Sequence, residues 1–87
     1  MKIFKLKISS PDGDVFNGDA VKLCLRGTEG ELAIMAGHIP FVTSVVPCEC
    51  KIELNDETVK TGRLNGGLLN VSSDIVVLLS GSFNWNN

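Results

Sequence analysis

Long apolar runs and clusters of positive charge are both absent from this 87-residue chain. The longest apolar runs, such as residues 75–79, have five residues, far short of the roughly 20 residues that cross a bilayer. Net charge is −2, and Lys2, Lys5 and Lys7 are the only local group of cations. This distribution excludes the phosphate-binding patch of a nucleic-acid-binding protein. The early alternation of polar and apolar residues excludes a signal peptide, so we expect a soluble intracellular chain.

Motifs for catalysis are also missing. His38 is the only histidine and therefore the one obvious general acid or base, but no serine or aspartate stands at a catalytic spacing from it. The segment 12–14 lacks the glutamate and the spacing of a calcium loop. Gly27 and Gly30 lack the following lysine and helix of a phosphate loop. We expect no catalytic site, cofactor or small-molecule substrate, and interpret His38 as a loop or docking residue.

The three cysteines cannot all pair within the chain, and an odd number fits a reducing compartment. Cys48 and Cys50 share one face of a strand. Together with Cys24 and His38 they leave one alternative open, a small metal-binding or redox β-domain with a Cys3His site. Two cysteines separated by one residue are a weaker zinc signal than two separated by two, and cysteine is commonly a small buried residue. We therefore expect no metal.

The chain does contain repeated alternation of polar and apolar residues, which is typical of half-buried strands. Strands are predicted at residues 2–8, 15–16, 21–26, 32–34, 41–46, 50–54, 58–61, 68–71 and 75–79. Their spacing of roughly 8–12 residues predicts an all-β fold, a small two-sheet β-sandwich of about eight to ten short strands. We expect a single domain over residues 1–87, with residues 80–87 as a frayed tail.

Glycine and proline mark the predicted ends of these strands. We expect Asn17 and Gly18 to interrupt one strand, Pro47 to end another, and residues 55–57 to form a hairpin loop. The adjacent Gly66 and Gly67 predict a bulge or a close approach of two backbones.

Residues 27–40 are the most distinctive segment, because they hold three glycines, a proline and the histidine. Two shaped loops on a small body favour a docking surface over a catalytic pocket. Glu29 and Glu31 are either solvated loop carboxylates or an acidic edge that meets a basic partner. A ligand-binding barrel that uses Phe41 and Trp85 for stacking is a further alternative, and a small hydrolase is a remote one.

Three motifs now stand in order along the chain. They are Ser10-Pro11-Asp12-Gly13 with Val15-Phe16 and Gly18, then Gly27-Thr28-Glu29-Gly30-Glu31-Leu32 with Ile34 and Gly37-His38-x-Pro40, and finally Gly66-Gly67-x-Leu69-x-Val71. In this order and at this spacing, the chain resembles the epsilon subunit of F-type ATP synthase.

This resemblance implies a non-catalytic β-sandwich on the central stalk of the rotor, which couples ion-driven rotation of the c-ring through gamma to ATP synthesis. The positions Glu29, Gly30 and Glu31 match the family's contact with the c-ring. The segment His38, Ile39 and Pro40 matches its contact with gamma. The resemblance also implies a peripheral position at the cytoplasmic face of the bacterial cell membrane.

The chain departs from the family pattern in three places. Ala33 and residues 35–36 replace residues that are often Gly and Leu- or Tyr-Pro, and Cys48 follows Pro47 where glycine is usual. The third departure is length, because the chain stops at Asn87 where most members continue into two antiparallel helices. Those helices carry the family's inhibition of ATP hydrolysis and, in some members, an ATP site, so we expect neither function here.

Overall fold

The computed structural model describes residues 2–55 and 57–86, and this part of the chain consists of strands and turns. Its eight strands are β1 (Phe4–Ser10), β2 (Gly13–Ala20), β3 (Lys22–Gly27), β4 (Gly30–Met35), β5 (Phe41–Glu53), β6 (Val59–Val71), β7 (Val76–Ser80) and β8 (Phe83–Trp85). The predicted all-β class and number of strands are confirmed. Within the described ranges no helix is long and apolar enough to span a membrane.

The strands form one hydrogen-bonded path in the order β2-β1-β7-β6-β5-β3-β4, with β8 also paired to β6. All neighbours are antiparallel except β1 and β7, which run parallel. The two 13-residue strands β5 and β6 pair along their length. Residues 41–45 and 67–71 of this ribbon continue into β7, β1 and β2, which we call the first layer. Residues 47–53 and 59–65 continue into β8, β3 and β4, which we call the second layer.

The core lies between these two layers. Its fully buried members come from both, with Leu6, Ile8, Leu69 and Leu78 in the first layer and Leu23, Ile34, Cys50, Ile52 and Leu64 in the second. Because successive side chains of a strand point to opposite faces, alternate residues of each strand reach this core. The predicted two-sheet sandwich is therefore confirmed.

A corner in the ribbon separates the layers. The pairing runs from Val45–Gly67 directly to Pro47–Asn65, so Val46 and Gly66 are skipped. Gly66 has φ +91°, in the left-handed region that favours glycine. The register is the same on both sides of this corner, so the strands contain no bulge there. The predicted close approach of two backbones is confirmed, because the main-chain oxygen of Leu79 lies where a side chain at Gly67 would be.

Two predicted interruptions are wrong, at Pro47 and at Gly18. Pro47 does not end its strand, because it lies at the corner, where the pairing is already irregular and a missing N–H is tolerated. Gly18 does not break β2, because its backbone remains paired with Leu6 of β1.

At the predicted hairpin loop, the side-chain oxygen of Asn55 accepts hydrogen bonds from the backbone N–H groups of Glu57 and Thr58, both at 2.8 Å. Asp56 lies outside the described residues.

The expected fraying of residues 80–87 is also wrong for the described part of that segment. Phe83–Trp85 forms β8 on β6, and Trp85 packs edge-on against Phe83 and Phe16, with ring centroids 4.9 and 6.4 Å away. The ammonium of Lys60 lies 4.2 Å from the centre of the Trp85 ring. Burial of two aromatic side chains and a cation–π contact hold this segment in place. Asn87 lies outside the described residues.

Candidate functional site

The two predicted contact segments lie at opposite ends of β4. Glu29 stands in the two-residue turn that leads into Gly30, and His38–Pro40 follows the end of the strand at Met35. The five residue steps of β4 span about 17 Å. The structure therefore separates the residues predicted to meet the c-ring from those predicted to meet gamma, and both groups are exposed.

At the first end, a tight hairpin presents the two carboxylates. Gly30 has φ +125°, and a side chain at Gly27 would come within 3.0 Å of Leu32 Cδ1, so both glycines suit the turn. Glu31 Oε2 accepts a hydrogen bond from Arg26 Nη2 at 3.2 Å across the hairpin. This ion pair is largely exposed and contributes little to stability. Glu29 forms no ion pair with any of the described residues, so its charge faces solvent.

At the second end, Gly37 turns the chain with φ +87°. The His38 ring then packs on Phe41, with centroids 5.6 Å apart and planes inclined by 46°. The next residue, Ile39, has 80% of its surface exposed. Ile39 is therefore accessible to a partner at this end of β4.

An open groove of about 430 Å³ lies beside His38. Apolar side chains such as Ile3, Met35 and Ile75 line it, and Asp19 and Asp74 lie at its rim. An open groove with apolar side chains in its lining is suited to contact with a protein partner.

The first layer also carries an exposed outer apolar face, which we define as Val42, Leu68 and Leu79. Their exposed fractions are 60%, 42% and 47%. Leu68 lies directly opposite Leu79, and Val42 is a diagonal neighbour of Leu68 on the adjacent strand. Sequence reasoning missed this face. The available signal was the uninterrupted apolar run at residues 75–79, because a strand with a polar outer face alternates instead.

The three cysteines and His38 do not assemble into one site. Cys50 is fully buried in the core. Burial, together with the nearby Cys48 and Cys24, raises the pKa of its thiol to about 12. Cys48 Sγ instead lies 3.4 Å from the N–H of Arg26, where the pairing of β3 with β5 is irregular. Among residues 2–55 and 57–86, no three His, Cys, Asp or Glu side chains are placed to hold a metal ion.

The two stacking residues of the barrel alternative are also separated. Phe41 packs with His38, whereas Trp85 packs with Phe16 and Phe83. Phe41 and Trp85 therefore belong to two separate aromatic contacts and do not face each other across a pocket.

Comparison with known proteins gives consistent matches. A family model described as the beta-sandwich domain of the ATP synthase delta/epsilon chain matches residues 3–86. The ATP synthase epsilon chain of Ruminococcus albus is 36% identical over 86 residues, which are 98% of this chain and 63% of that protein. The sodium-ion-specific ATP synthase epsilon chain of Acetobacterium woodii is 37% identical over 82 residues, or 94% and 62% of the two chains.

Solved structures match the fold as well. A chain of the Euglena gracilis mitochondrial ATP synthase superposes with a TM-score of 0.89 at 19% identity, over 95% of this chain and 53% of that one. A chain from the Tetrahymena thermophila mitochondrial ATP synthase, in a structure of its central stalk and c-ring, gives a TM-score of 0.81 at 15% identity, over 94% and 66%. The chain spans less than two thirds of the length of the curated relatives that it matches.

Proposed function

The chain belongs to the ATP synthase delta/epsilon family, and we propose that it is a non-catalytic epsilon subunit of the central stalk. In this proposal it joins gamma to the c-ring, so that ion-driven rotation reaches the catalytic head and drives ATP synthesis. It would lie at the cytoplasmic face of the bacterial cell membrane, attached through the complex. The match over residues 3–86 carries the proposal. Neither inhibition of ATP hydrolysis nor ATP binding is included in it.

We assign the acidic hairpin to the c-ring. Glu29, Gly30 and Glu31 are exposed at one end of the sandwich, where a two-residue turn joins β3 to β4. Carboxylates at such a tip meet basic groups of a partner and set the register of the contact more than its affinity. Glu31 is paired with Arg26, whereas Glu29 forms no ion pair with any of the described residues.

We assign the opposite end to gamma. His38, Ile39 and Pro40 are exposed there, and Val42 follows on the outer apolar face. Burial of such exposed apolar surface against a partner contributes favourable free energy to binding. The close-packed core between the two contacts resists deformation, as a part that transmits torque requires.

Isothermal titration of the chain into gamma from the same source tests this proposal. We expect saturable one-to-one binding with micromolar affinity or tighter. The variant Ile39→Asp should weaken it by about tenfold or more, because a charge would be buried at the contact. Val59→Asp is the control, since Val59 is, like Ile39, an exposed β-branched apolar residue. It lies on β6, three strand spacings or about 14 Å from Met35 at the end of β4.

Absence of binding, with gamma shown to be folded, would overturn the assignment to the stalk. Equal weakening by Ile39→Asp and Val59→Asp would instead overturn only the place assigned to the gamma contact.

A further inference from the structure

The outermost strand of the second layer, β4, has one open side. It pairs with β3 over all six residues, from Gly30–Gly27 to Met35–Lys22, without a shift in register. No second strand among the described residues pairs with it. An edge of this kind presents a row of backbone donors and acceptors to solvent.

The register identifies which backbone groups face outward. In a hairpin with a two-residue turn, the residues that flank the turn exchange both hydrogen bonds, and every second pair does so after them. Gly30, Leu32 and Ile34 therefore bond to β3, whereas the N–H and C=O groups of Glu31 and Ala33 point away from it. Met35, at the end of the strand, follows the same alternation.

Arg26 supports this alternation independently. It lies opposite Glu31, and its N–H donates to Cys48 Sγ at 3.4 Å on the far side of β3. The backbone of Arg26 is thus directed toward β5, and Glu31 has no partner on β3. The side chains of Glu31, Ala33 and Met35 are all exposed, so nothing in the described part of the chain covers this edge.

The other edge strands are protected in the usual ways. In β2, Val15 is an extra residue that shifts the pairing with β1, and Asp14 and Asp19 add charge. The strand β8 has only three residues. Asn86 then follows it and bonds through its backbone N–H to Thr61 O at 3.0 Å. By contrast, β4 has no proline, lysine or bulge, and Glu31 is its one charged residue.

We propose that the free chain forms a dimer in which β4 of one copy pairs antiparallel with β4 of a second copy, centred on Ala33. The outward groups of both strands then face each other, with Ala33 opposite Ala33 and Glu31 opposite Met35 of the second copy. This arrangement forms about six main-chain hydrogen bonds. The inference does not rest on the proposed function.

Charge and the number of hydrogen bonds favour this register over its neighbours. Centring on Ala33 places the two Glu31 residues about 14 Å apart along the strands. Centring on Glu31 would place two carboxylates directly opposite each other, which is unfavourable. A shift by one residue would oppose the outward groups of one strand to the β3-bonded groups of the other. A shift by two residues would pair only two of the three outward residues of each copy, which forms about four main-chain hydrogen bonds instead of six. A second copy in this one register is therefore the occupant that fits the edge.

Sedimentation velocity on the 87-residue chain from micromolar to millimolar concentration tests the dimer. We expect the weight-average sedimentation coefficient to rise with protein concentration. Ala33→Lys places two like charges together at the dimer axis and should weaken association at least about fivefold, and Ala33→Glu should do the same. An equimolar mixture of the two variants should associate more strongly than either alone. Ala33→Thr, which is neutral and favourable in a strand, is the matched control.

Amide hydrogen exchange locates the contact. We expect protection of Glu31, Ala33 and Met35 to increase with protein concentration. The mixing experiment remains decisive if a single variant is less stable, because only pairing at Ala33 predicts rescue by the opposite charge. The proposal is overturned if the chain stays monomeric throughout, if Ala33→Lys associates as the original chain does, or if mixing restores nothing.

Discussion

The main-chain oxygen of Leu79 occupies the space that a side chain at Gly67 would need. The two residues belong to adjacent strands, and Gly67 pairs with Ser80 at the point where the ribbon turns its corner. The absence of a side chain at position 67 therefore allows β6 and β7 to approach each other at this corner.

Gly67→Ala should lower the free energy of unfolding by about 2–3 kcal/mol, because the added methyl group forces one backbone away from the other. Urea denaturation would measure the change. Gly81→Ala is the matched control, since nothing lies within 4 Å of a side chain there. If the two variants have the same denaturation midpoint, the close approach at Gly67 does not constrain the fold.

Ser80→Ala should destabilise the same corner through a lost hydrogen bond. The buried Ser80 hydroxyl lies 2.7 Å from Gly66 O and 2.9 Å from Ser82 O, and it accepts the N–H of Ser82 at 3.3 Å. Removing it leaves buried backbone groups unsatisfied, which costs about 1–3 kcal/mol. Ser44→Ala, at an exposed strand position, should change the thermal midpoint much less. Similar losses for both variants would contradict this role of Ser80.

Glu31→Lys should reduce the coupling of rotation to ATP synthesis while the chain still folds. The substitution reverses the charge proposed to face the c-ring, and the exposed pair with Arg26 that it removes contributes less than about 1 kcal/mol. Ion-driven ATP synthesis by membrane vesicles that contain the reassembled complex would measure the effect. Glu57→Lys makes the same charge change at another exposed position. Unchanged coupling in Glu31→Lys would count against the c-ring assignment.

The free energy of unfolding should fall at high pH because of the Cys50 thiol. Its pKa is about 12 in the folded chain against an ordinary value of 9.0, so the folded state keeps a proton that the unfolded state loses. The contribution is fully present below pH 9.0 and falls by about 1 kcal/mol per pH unit above it, up to the folded-state pKa. Cys50→Ala should show a correspondingly smaller loss of stability between pH 9 and about 11. Parallel stability curves for the two chains would exclude this effect.

Reactivity toward iodoacetamide should distinguish Cys50 from Cys24 and Cys48. The thiolate is the reactive form, and Cys50 is both buried and protonated near neutral pH. Native chain should therefore be alkylated at Cys24 and Cys48 and not at Cys50, whereas urea-unfolded chain should react at all three. Peptide mass spectrometry would identify the sites. Rapid alkylation of Cys50 in the native chain would show that the core opens there.

Local patterns in the sequence were sufficient to predict the fold class. Leu6 and Ile8 alternate with lysine and serine because the strand has one buried and one exposed face. The glycine pair at the corner was predictable because close backbone approach requires glycine. Pairing between distant segments was not predictable in the same way. Neither the parallel pairing of β1 with β7 nor the continuation of β5 through Pro47 follows from local propensity.

The candidate site was predicted only in part. The acidic hairpin and the His38 loop are exposed as a docking site requires, but their separation along β4 depends on the fold. The outer apolar face combines Val42, Leu68 and Leu79 from three strands, so no single stretch of sequence displays it. For the tail, its position at the end of the chain suggested fraying. The contact of Trp85 with Phe16, 69 positions earlier in the chain, determines the observed structure instead.

The continuous ribbon of β5 and β6 also determines how the body responds to load. In a sandwich made of two separate sheets, the layers can slide over one another at the cost of side-chain packing alone. Here the same two strands belong to both layers, so sliding would have to stretch covalent backbone and break hydrogen bonds at the corner. The protein should therefore be stiffest against shear between its layers. Deformation under load should be concentrated in the exposed turns at the two ends of β4.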